Sequence, residues 1–420
     1  RSTLFPYTTL FRSGVLEDLV VQESGIARAR ARALHIDTTM KHLAFFGEMA
    51  GRDFTKPLMP TVSPRPGGGA IVGTGVVQRD PVGVVSAIVP YNAPFLVSIA
   101  KIAPALAMGN TTVLKPSPFT PLQTFVLAEA IEEVGFPPGV FNLLTGEVDV
   151  GTALSADERI DLVTFTGSEG VGAAVMAQAS KTIKKVLLEL GGKSALIIRA
   201  DADLDRAVAA GIGSMVNQSG QGCSLTTRHL VHRSVADRYV EGLVAQASAV
   251  TVGDPSDLAV QMGPLIRESQ RERVERFVDV AGREGSELAC GGRRPAHLEK
   301  GFFYEPTVFV GVANSSTIAQ EEVFGPVASV IVFETDDEAV DIANASRYGL
   351  GGQIISRDSG TAFEMARRVR TGQIGINGGA GGMSSHAPFG GVKRSGLGRE
   401  YGEEGVLEFT EPKAITFNGG

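Results

Sequence analysis

A cysteine lies in the glycine-rich stretch NQSGQGCS, which covers residues 217–224. A structural cysteine usually lies among apolar residues, whereas the neighbours of Cys223 are glycines and polar side chains. Gly220 and Gly222 allow a tight turn, so the thiol can face a cleft and its own N–H can point at an oxyanion. The attacking species would be the thiolate, and we expect the surroundings to lower its pKa from about 8.5. This setting indicates a nucleophile, but a structural role stays open for a single cysteine.

A carboxylate is the second candidate, because Glu189 lies in the apolar run KKVLLELGGKSALII, residues 184–198. If it is exposed at a strand end, it has no special chemistry. If it is buried, desolvation raises its pKa and favours a general base. The run alone leaves both interpretations open. The other cysteine, Cys290 in ELACGG, is interpreted as a small half-buried residue.

A third stretch, IDLVTFTGSEGVG, covers residues 160–172 and leads from an apolar strand into Gly167 and Ser168. Gly170 and Gly172 then open a helix, which is the setting for a nucleotide phosphate at a helix N-terminus. The spacing differs from GxGxxG, so the pattern is weak by itself. Two further stretches are compatible with ordinary loops when each is taken alone: AQEEVFGPV and APFGGVKRSGLGRE.

These residues need a scaffold, and strands alternate with helices from Val82 onward. The alternation predicts an α/β fold with parallel sheets. We expect a strand over Val82–Val89, a helix over about Pro94–Ala107 and a helix stopped by Gly135. The glycine-rich segment Pro64–Gly83 predicts two short β segments, a pattern compatible with an exposed hairpin.

Composition narrows the function classes. The 420 residues are 43% hydrophobic and 20% charged, with a net charge of -7, as in globular proteins of two or three domains. The negative charge argues against nucleic acid or an anionic membrane as partner. Two cysteines exclude a disulfide framework and favour a cytoplasmic location. Prolines and Lys101 interrupt the apolar stretch 82–109, so no transmembrane segment is predicted.

Together these stretches resemble the aldehyde dehydrogenase superfamily, whose members oxidise aldehydes to acids with NAD or NADP. The likeness runs in order from about Leu16 to Phe417, through FTGS, LELGGKS, GQGC, EEVFGPV and PFGGVKRSGLGRE. The resemblance implies a Rossmann-type cofactor domain (14–62 and 83–190, incomplete at its N-terminus) and an α/β catalytic domain (191–402). It also implies a small β oligomerisation arm (63–82 and 403–420), and hence a homodimer or homotetramer, because such an arm has an unpaired edge.

The resemblance also implies catalytic roles. Cys223 is the expected nucleophile, Glu189 the general base and Asn92 the side-chain donor to the oxyanion. Lys101 and Glu400 match a pair that relays protons. The implied reaction passes from a thiohemiacetal through hydride transfer to a thioester, which is hydrolysed to the acid.

Cofactor-binding residues follow from the same resemblance, with Lys115 near the adenosine ribose and Glu322 on the nicotinamide ribose. Pro118 stands where many NAD-preferring relatives have glutamate, so NAD is only slightly favoured over NADP. No metal is expected. The expected cofactor residues are Ile88, Val89, Pro90, Tyr91, Lys115, Ser117, Gly146, Phe165, Thr166, Gly167, Ser168, Val171, Leu190, Gly191, Glu322 and Phe324.

The substrate pocket implied by the resemblance consists of Tyr91, Phe95, Met383 and Phe389. It contains no basic residue, so we expect an uncharged, fairly apolar aldehyde. Two alternatives stay open. A CoA-acylating dehydrogenase would pass the acyl group to CoA, although Glu189 argues for water. A non-catalytic relative would be expected to lack one of the three principal catalytic residues.

The first thirteen residues, RSTLFPYTTLFRS, have neither a continuous apolar stretch nor a cleavage site, so they do not predict a secretory signal. They match an in-frame translation of a common sequencing adapter. We therefore expect residues 1–13 to be an assembly artefact joined to a gene shortened at its 5′ end, with no information on localisation.

Overall fold

Three β-sheets organise the chain in a computed structural model that describes residues 12–379 and 384–418. The strands are β1 Lys56–Pro57, β2 Thr61–Pro64, β3 Ala70–Pro81, β4 Val84–Ile88, β5 Thr111–Lys115, β6 Phe141–Leu143, β7 Leu162–Thr166, β8 Lys185–Glu189, β9 Ala195–Ile198, β10 Arg228–His232, β11 Glu287–Cys290, β12 Thr307–Val310, β13 Val327–Phe333, β14 Gly352–Ile355, β15 Gly375–Ile376, β16 Gly396–Leu397 and β17 Thr410–Asn418. The expected α/β class with parallel sheets is confirmed.

Helices cover the sheets and connect their strands. They are α1 Ser13–Ser24, α2 Arg28–Ala31, α3 Thr38–Met49, α4 Pro94–Ala107, α5 Leu122–Val134, α6 Val148–Ala156, α7 Glu169–Ala179, α8 Leu204–Val216, α9 Ala236–Ser248, α10 Glu268–Arg283, α11 Thr317–Gln320, α12 Asp336–Asn344, α13 Ser359–Arg368 and α14 Gly402–Leu407. A π-helical turn over Arg32–Asp37 joins α2 to α3. Among the described residues, none of the helices is long and apolar enough to span a membrane.

The first sheet has the order β16-β8-β7-β4-β5-β6, and all its neighbouring pairs are parallel except β16 with β8. Its central strands are almost wholly buried, as expected for a parallel sheet with both faces covered. Because the strands are parallel, the loops that follow β4, β5, β6, β7 and β8 lie along one edge. We call this edge the C-terminal edge of the first sheet.

The second sheet has the order β11-β12-β13-β10-β9-β14-β15, with β11 antiparallel and the other pairs parallel. Its core is aliphatic, with Ile197, Leu230 and Ile331 among the buried residues. This sheet carries the chain into and out of the segment that holds Cys223, because β9 precedes that segment and β10 follows it.

A third, small sheet consists of β1, β2, β3 and β17. In place of two short β segments, β3 is one strand over Ala70–Pro81, and β2 pairs with its first half to form a hairpin. The reason is a distant partner, because β17 pairs with β3 from Thr410 opposite Pro81 to Asn418 opposite Gly73. Gly75 is required here, since a Cβ would collide with the Ile415 carbonyl.

Local end signals predicted several boundaries correctly. The helix over Pro94–Ala107 is confirmed, and Gly135 ends α5 in a left-handed conformation at φ 82°. The expected artefact covers residues 1–13, of which 1–11 lie outside the described residues. Arg12 forms ion pairs with Glu129 at 2.6 Å and Glu133 at 2.9 Å, and Ser13 begins α1.

Candidate active site

One cavity of about 480 Å³ brings together four of the five predicted catalytic residues, Cys223, Glu189, Asn92 and Glu400. Asn92 lies in the turn between β4 and α4, and Glu189 is the last residue of β8. Cys223 follows α8 and a short 3₁₀ turn over Asn217–Gly220. The cavity therefore lies beside the C-terminal edge of the first sheet, where the nucleophile segment meets the ends of two strands.

The segment before Cys223 has an unusual backbone. Gln218 and Ser219 have φ values of 53° and 54°, which non-glycine residues rarely adopt, and Gly220 follows at 73°. Hydrogen bonds hold this turn, because Ser219 Oγ donates to the Gly263 carbonyl at 2.8 Å and Gln221 Nε2 donates to the Gln218 carbonyl at 3.0 Å. Such residues cost of order 1–3 kcal/mol each and are found where the fold fixes a functional group.

The Asn92 side chain is oriented by this segment. Its Nδ2 donates to the Gln221 carbonyl at 2.8 Å, while Gln218 Nε2 donates to the Asn92 carbonyl at 2.6 Å. A primary amide has two N–H donors, so one remains after the bond to Gln221. This second N–H is available to an oxygen of a molecule bound in the cavity.

Glu189 is buried, with 2% of its surface exposed, and neither carboxylate oxygen has a hydrogen-bond partner among the described residues. Burial raises its pKa well above the ordinary value, and the negative charge of Glu400 raises it further. The charge of Lys101 acts in the opposite direction. Of the two interpretations that the sequence left open, the buried one agrees with the structure, and a raised pKa is the state that a general base near neutral pH requires.

Lys101 and Glu400 form a buried ion pair. Lys101 Nζ lies 2.6 Å from Glu400 Oε1 and donates to Thr164 Oγ1 at 2.8 Å. Glu400 lines the same cavity as Glu189. A chain of titratable groups therefore leads from the cavity into the protein.

The pKa of the Cys223 thiol differs from our expectation. Burial raises it to about 12, and the negative charges of Glu322, Glu189 and Glu400 all raise it as well. The expectation that the protein surroundings lower this pKa is therefore wrong, because the thiol is buried and the nearby charged groups are carboxylates rather than cations. Formation of the thiolate needs a proton acceptor or additional positive charge in the cavity.

Every predicted cofactor residue of the first sheet lies at its C-terminal edge. Such an edge is where open parallel sheets bind nucleotides. The residues follow the strands in order: Ile88, Val89, Pro90 and Tyr91 at the end of β4 and after it, Lys115 and Ser117 at the end of β5 and after it, Gly146 after β6, Phe165, Thr166, Gly167, Ser168 and Val171 at β7 and its helix, and Leu190 and Gly191 after β8.

The start of α7 fits a phosphate group. Ser168 is its N-cap residue, but no side chain bonds the first-turn N–H groups of this helix. These N–H groups remain donors at the positive end of an 11-residue helix. At the end of β5, two strands away from β7 in the sheet, Lys115 is buried. Among the described residues its Nζ donates only to the Pro116 carbonyl, at 3.0 Å, so further donors remain.

Glu322 approaches the same edge from the other side of the cavity. Its Oε1 accepts from the Gly192 N–H at 3.1 Å, and burial raises its pKa to about 7. A Cβ at Gly191 would collide with the Glu322 carboxylate, which would have to move away from the Gly192 N–H. Phe324, at φ 59°, meets the Tyr91 ring edge-on with centroids 6.1 Å apart. Tyr91 and Phe324 therefore form one aromatic pair.

The substrate wall agrees only in part with the expected pocket. Phe389 lines the cavity, whereas Phe95 is 1% exposed and packs in the hydrophobic core. The reason is helical spacing, because Ala93, Leu96 and Val97 share the face of α4 that lines the cavity and Phe95 does not. The Tyr91 ring pairs with Phe324 rather than lining the cavity. Met383 lies outside the described residues.

Sequence reasoning missed several residues at the site. Leu34 and His35, from the π-helical turn, line the cavity, as does Tyr401. Burial lowers the His35 pKa to about 4, so its imidazole is neutral at neutral pH. Lys193 is fully buried beside the charges of Arg228 and Glu322, and its Nζ has no hydrogen-bond partner among the described residues. Of these residues, only Lys193 could have been selected from the sequence, since it follows the two glycines after Glu189.

No metal site accompanies these groups. In the ranges that the structure describes, no group of three or more His, Cys, Asp or Glu side chains could hold a metal ion.

Comparison with known proteins gives three consistent results. The aldehyde dehydrogenase family model matches residues 11–415. A Staphylococcus aureus protein provisionally named an aldehyde dehydrogenase is 44% identical over 345 residues, which are 82% of this chain and 72% of that protein. The crystal structure of S. aureus betaine aldehyde dehydrogenase with NAD+ is 37% identical, with a TM-score of 0.92 over 99% of this chain and 81% of that chain.

Two further crystal structures have the same fold. Pseudomonas syringae aldehyde dehydrogenase C, solved as a mutant with NAD+ and octanal, is 38% identical with a TM-score of 0.91 over 99% of this chain and 83% of that chain. An Escherichia coli NADP-dependent enzyme is 33% identical with a TM-score of 0.93 over 99% of this chain and 84% of that chain.

Proposed function

The chain belongs to the aldehyde dehydrogenase family, and we propose that it uses Cys223 as nucleophile and Glu189 as general base. It is an NAD(P)-dependent oxidoreductase that converts an aldehyde to the acid. One observation carries the assignment of roles. Cys223, Glu189 and Asn92 line a single cavity beside the C-terminal edge of the first sheet.

In the first step, Cys223 Sγ adds to the aldehyde carbon, and the carbonyl oxygen becomes an oxyanion. The thiol must lose its proton, and Glu189 is the carboxyl in the cavity with both oxygens unpaired. The free N–H of the Asn92 amide and the Cys223 backbone N–H stabilise the oxyanion. The Gln221 carbonyl keeps the amide in the orientation that this requires.

Three groups are suited to hold the cofactor: the Lys115 ammonium, the N-terminus of α7 and the Glu322 carboxylate. When bound, NAD or NADP supplies a hydride acceptor and a positively charged nicotinamide ring. The carboxylates that raise the Cys223 pKa also favour a cation in this cavity. NAD is slightly favoured, because the betaine aldehyde dehydrogenase and aldehyde dehydrogenase C structures hold NAD+.

Glu189 must next pass the thiol proton on through the Glu400–Lys101 pair, and the adduct would lose its hydride to the bound cofactor to become a thioester. Glu189 then accepts a proton from the water that attacks this thioester, and the free acid leaves as its bond to Cys223 Sγ breaks. The Glu400–Lys101 pair then carries the proton away from Glu189. Glu400 also keeps the Glu189 pKa high, which makes the carboxylate a stronger base. A buried base of this kind is needed chiefly to activate water, which argues against the CoA-acylating alternative. Cys223, Glu189 and Asn92 are all present, which argues against a non-catalytic relative.

Cofactor reduction tests these roles directly. With hexanal and NAD+, the purified protein is expected to form NADH and hexanoate without CoA. Cys223→Ala is expected to abolish the activity. Unchanged oxidation by Cys223→Ala, or an absolute requirement for CoA, would contradict the assignment.

We also propose that the third sheet joins subunits into a homodimer or homotetramer. Within the described residues β17 is an edge strand, and its side chains after Thr410 are exposed. Val62 and Phe417 add exposed apolar surface to this sheet, at 69% and 57% exposure. Light scattering should then report an oligomer, and removal of residues 411–420 should reduce its mass to that of a monomer. Separately, we propose a cytoplasmic location, because the chain has only two cysteines.

A further inference from the structure

Three arginines occupy alternate positions shortly before Leu34 and His35, which line the cavity. Arg28 pairs with Asp18 at 2.6 Å, and Arg32 pairs with Glu17 at 3.5 Å. Arg30, between them, forms no ion pair with any carboxylate side chain of the described residues. Residues 1–11, 380–383 and 419–420 contain no aspartate or glutamate. The positive charge of Arg30 is therefore not compensated by an acidic side chain.

The Arg30 side chain is also partly withdrawn from water. It is half-buried, and its hydrogen bond from Nη1 to Asn217 Oδ1, at 2.6 Å, is the one it donates among the described residues. A guanidinium has five N–H donors, so most of its capacity is unused. Burial lowers its pKa, in contrast to Arg28, whose pKa Asp18 raises. Desolvating a charge without a partner is costly, and an anionic ligand would offset that cost.

The contact of Arg30 places it next to the cavity. Asn217 lines the cavity together with Cys223, and Leu34, one helical turn after Arg30, lines it as well. The part of the wall contributed by α4 is apolar, consisting of Ala93, Leu96 and Val97. The cavity therefore combines an apolar side with a polar side at Asn217.

We propose that Arg30 and Asn217 select an aldehyde that carries a carboxylate at the end remote from its carbonyl group. The inference rests on the proposed role of Cys223, which fixes where the carbonyl binds. A planar carboxylate matches the planar guanidinium and can accept two of its N–H groups. The substrate class differs from the uncharged aldehyde expected from sequence, because Arg30 was not among the four predicted pocket residues.

Two aldehydes of equal carbon number test the inference: adipate semialdehyde, which is anionic, and hexanal, which is neutral. Arg30→Met keeps an unbranched side chain but removes the charge. A hydrogen bond to a charged group contributes about 1.5–3 kcal/mol, or roughly 10–150-fold. We expect kcat/KM for adipate semialdehyde to fall by that factor, while kcat/KM for hexanal changes by less than about twofold.

Arg32→Met is the matched control, because Arg32 lies in the same segment, two residues after Arg30, but pairs with Glu17 and Asp37 at the surface. It should leave both kcat/KM values unchanged. Arg30→Lys keeps the charge without the planar fork and should give an intermediate loss. Inhibition of hexanal oxidation provides a second readout, since adipate should inhibit the wild type more strongly than hexanoate and lose that advantage in Arg30→Met.

The outcomes separate this inference from the proposed function. If the wild type oxidises neither aldehyde, the proposed function fails. If it oxidises both and Arg30→Met leaves their ratio unchanged, only the substrate selection is refuted. A folded Arg30→Met variant, checked by circular dichroism, that lowers both activities equally would also refute it.

Discussion

The Lys101 ammonium lies 2.6 Å from Glu400 Oε1, and the two side chains are 0% and 4% exposed. The pair acts on Glu189 through opposite charges, because Glu400 raises the Glu189 pKa and Lys101 lowers it. Glu400→Gln should therefore move the acidic limb of the kcat–pH profile to lower pH. Lys101→Met should move it to higher pH. Stopped-flow or steady-state rates from pH 5 to 9 would measure both shifts, and displacements of the same sign would contradict this coupling.

Alkylation should show the raised pKa of Cys223. With a pKa of about 12, the thiol is almost fully protonated at pH 8 when no cofactor is present. In a Cys290→Ser background, we expect the rate of iodoacetamide labelling to rise about tenfold for each pH unit between 7 and 10. Added NAD+ should accelerate labelling at fixed pH. A rate that reaches a plateau below pH 8 would show that the thiolate is already formed.

The Asn92 amide is expected to act on the transition state rather than on substrate binding. Asn92→Ala removes one oxyanion donor and should lower kcat by roughly 10²–10³. KM should change much less, because the carbonyl oxygen of the bound aldehyde carries little charge. Asn92→Asp has the same shape without N–H donors and should be at least as slow. A loss confined to KM would assign Asn92 to binding.

A methyl group at Gly191 should weaken cofactor binding. The added Cβ would collide with the Glu322 carboxylate and break its bond from the Gly192 N–H. We expect the KM for NAD+ in Gly191→Ala to rise by roughly 10–100-fold. The reason is that the displaced Glu322 carboxylate would lose its proposed hydrogen bond to the cofactor, and a bond to a charged group contributes about 1.5–3 kcal/mol. Gly282→Ala is the control, because a Cβ there meets nothing within 4 Å. An unchanged KM would separate Glu322 from cofactor binding.

Buried neutral histidines predict the pH dependence of stability. Burial lowers the pKa of His35 and of His229 to about 4, below the unfolded value of about 6.5. The unfolded chain gains these protons first as pH falls through 6.5, so stability declines toward pH 4. His35→Leu should remove roughly 1.4 kcal/mol per pH unit from that slope. Urea denaturation at pH 7, 6 and 5 measures it, and identical slopes would contradict the neutral state.

Local signals accounted for the scaffold better than for the cavity. Proline at the start of α4 and Gly135 after α5 act within one helical turn, so the sequence around them is sufficient. The length of β3 was not predictable in this way, because its partner β17 begins more than 300 residues later. The two alternative interpretations of Glu189 were separated only by its burial.

Arg30 could not be selected from the sequence, because its surroundings depend on the tertiary structure. Arg28, Arg30 and Arg32 are equivalent in the pattern ARARA, and only the tertiary structure decides which of them finds a carboxylate. The direction of the Cys223 pKa shift was predicted wrongly for the same reason. The shift depends on the burial of the thiol and on three carboxylates from distant parts of the chain, which only the tertiary structure shows. Helical spacing from Asn92 could have excluded Phe95 and selected Leu96.

Lys101 and Glu400 are 299 residues apart in the chain, and β16, which pairs with Glu189, begins only at Gly396. Synthesis proceeds from the N-terminus, so β4 to β8 leave the ribosome long before these partners. A nascent chain can therefore present Cys223 without the ion pair behind its base. Completion of the catalytic cavity becomes one of the last events of biosynthesis, which keeps the nucleophile apart from its full machinery until translation is nearly finished.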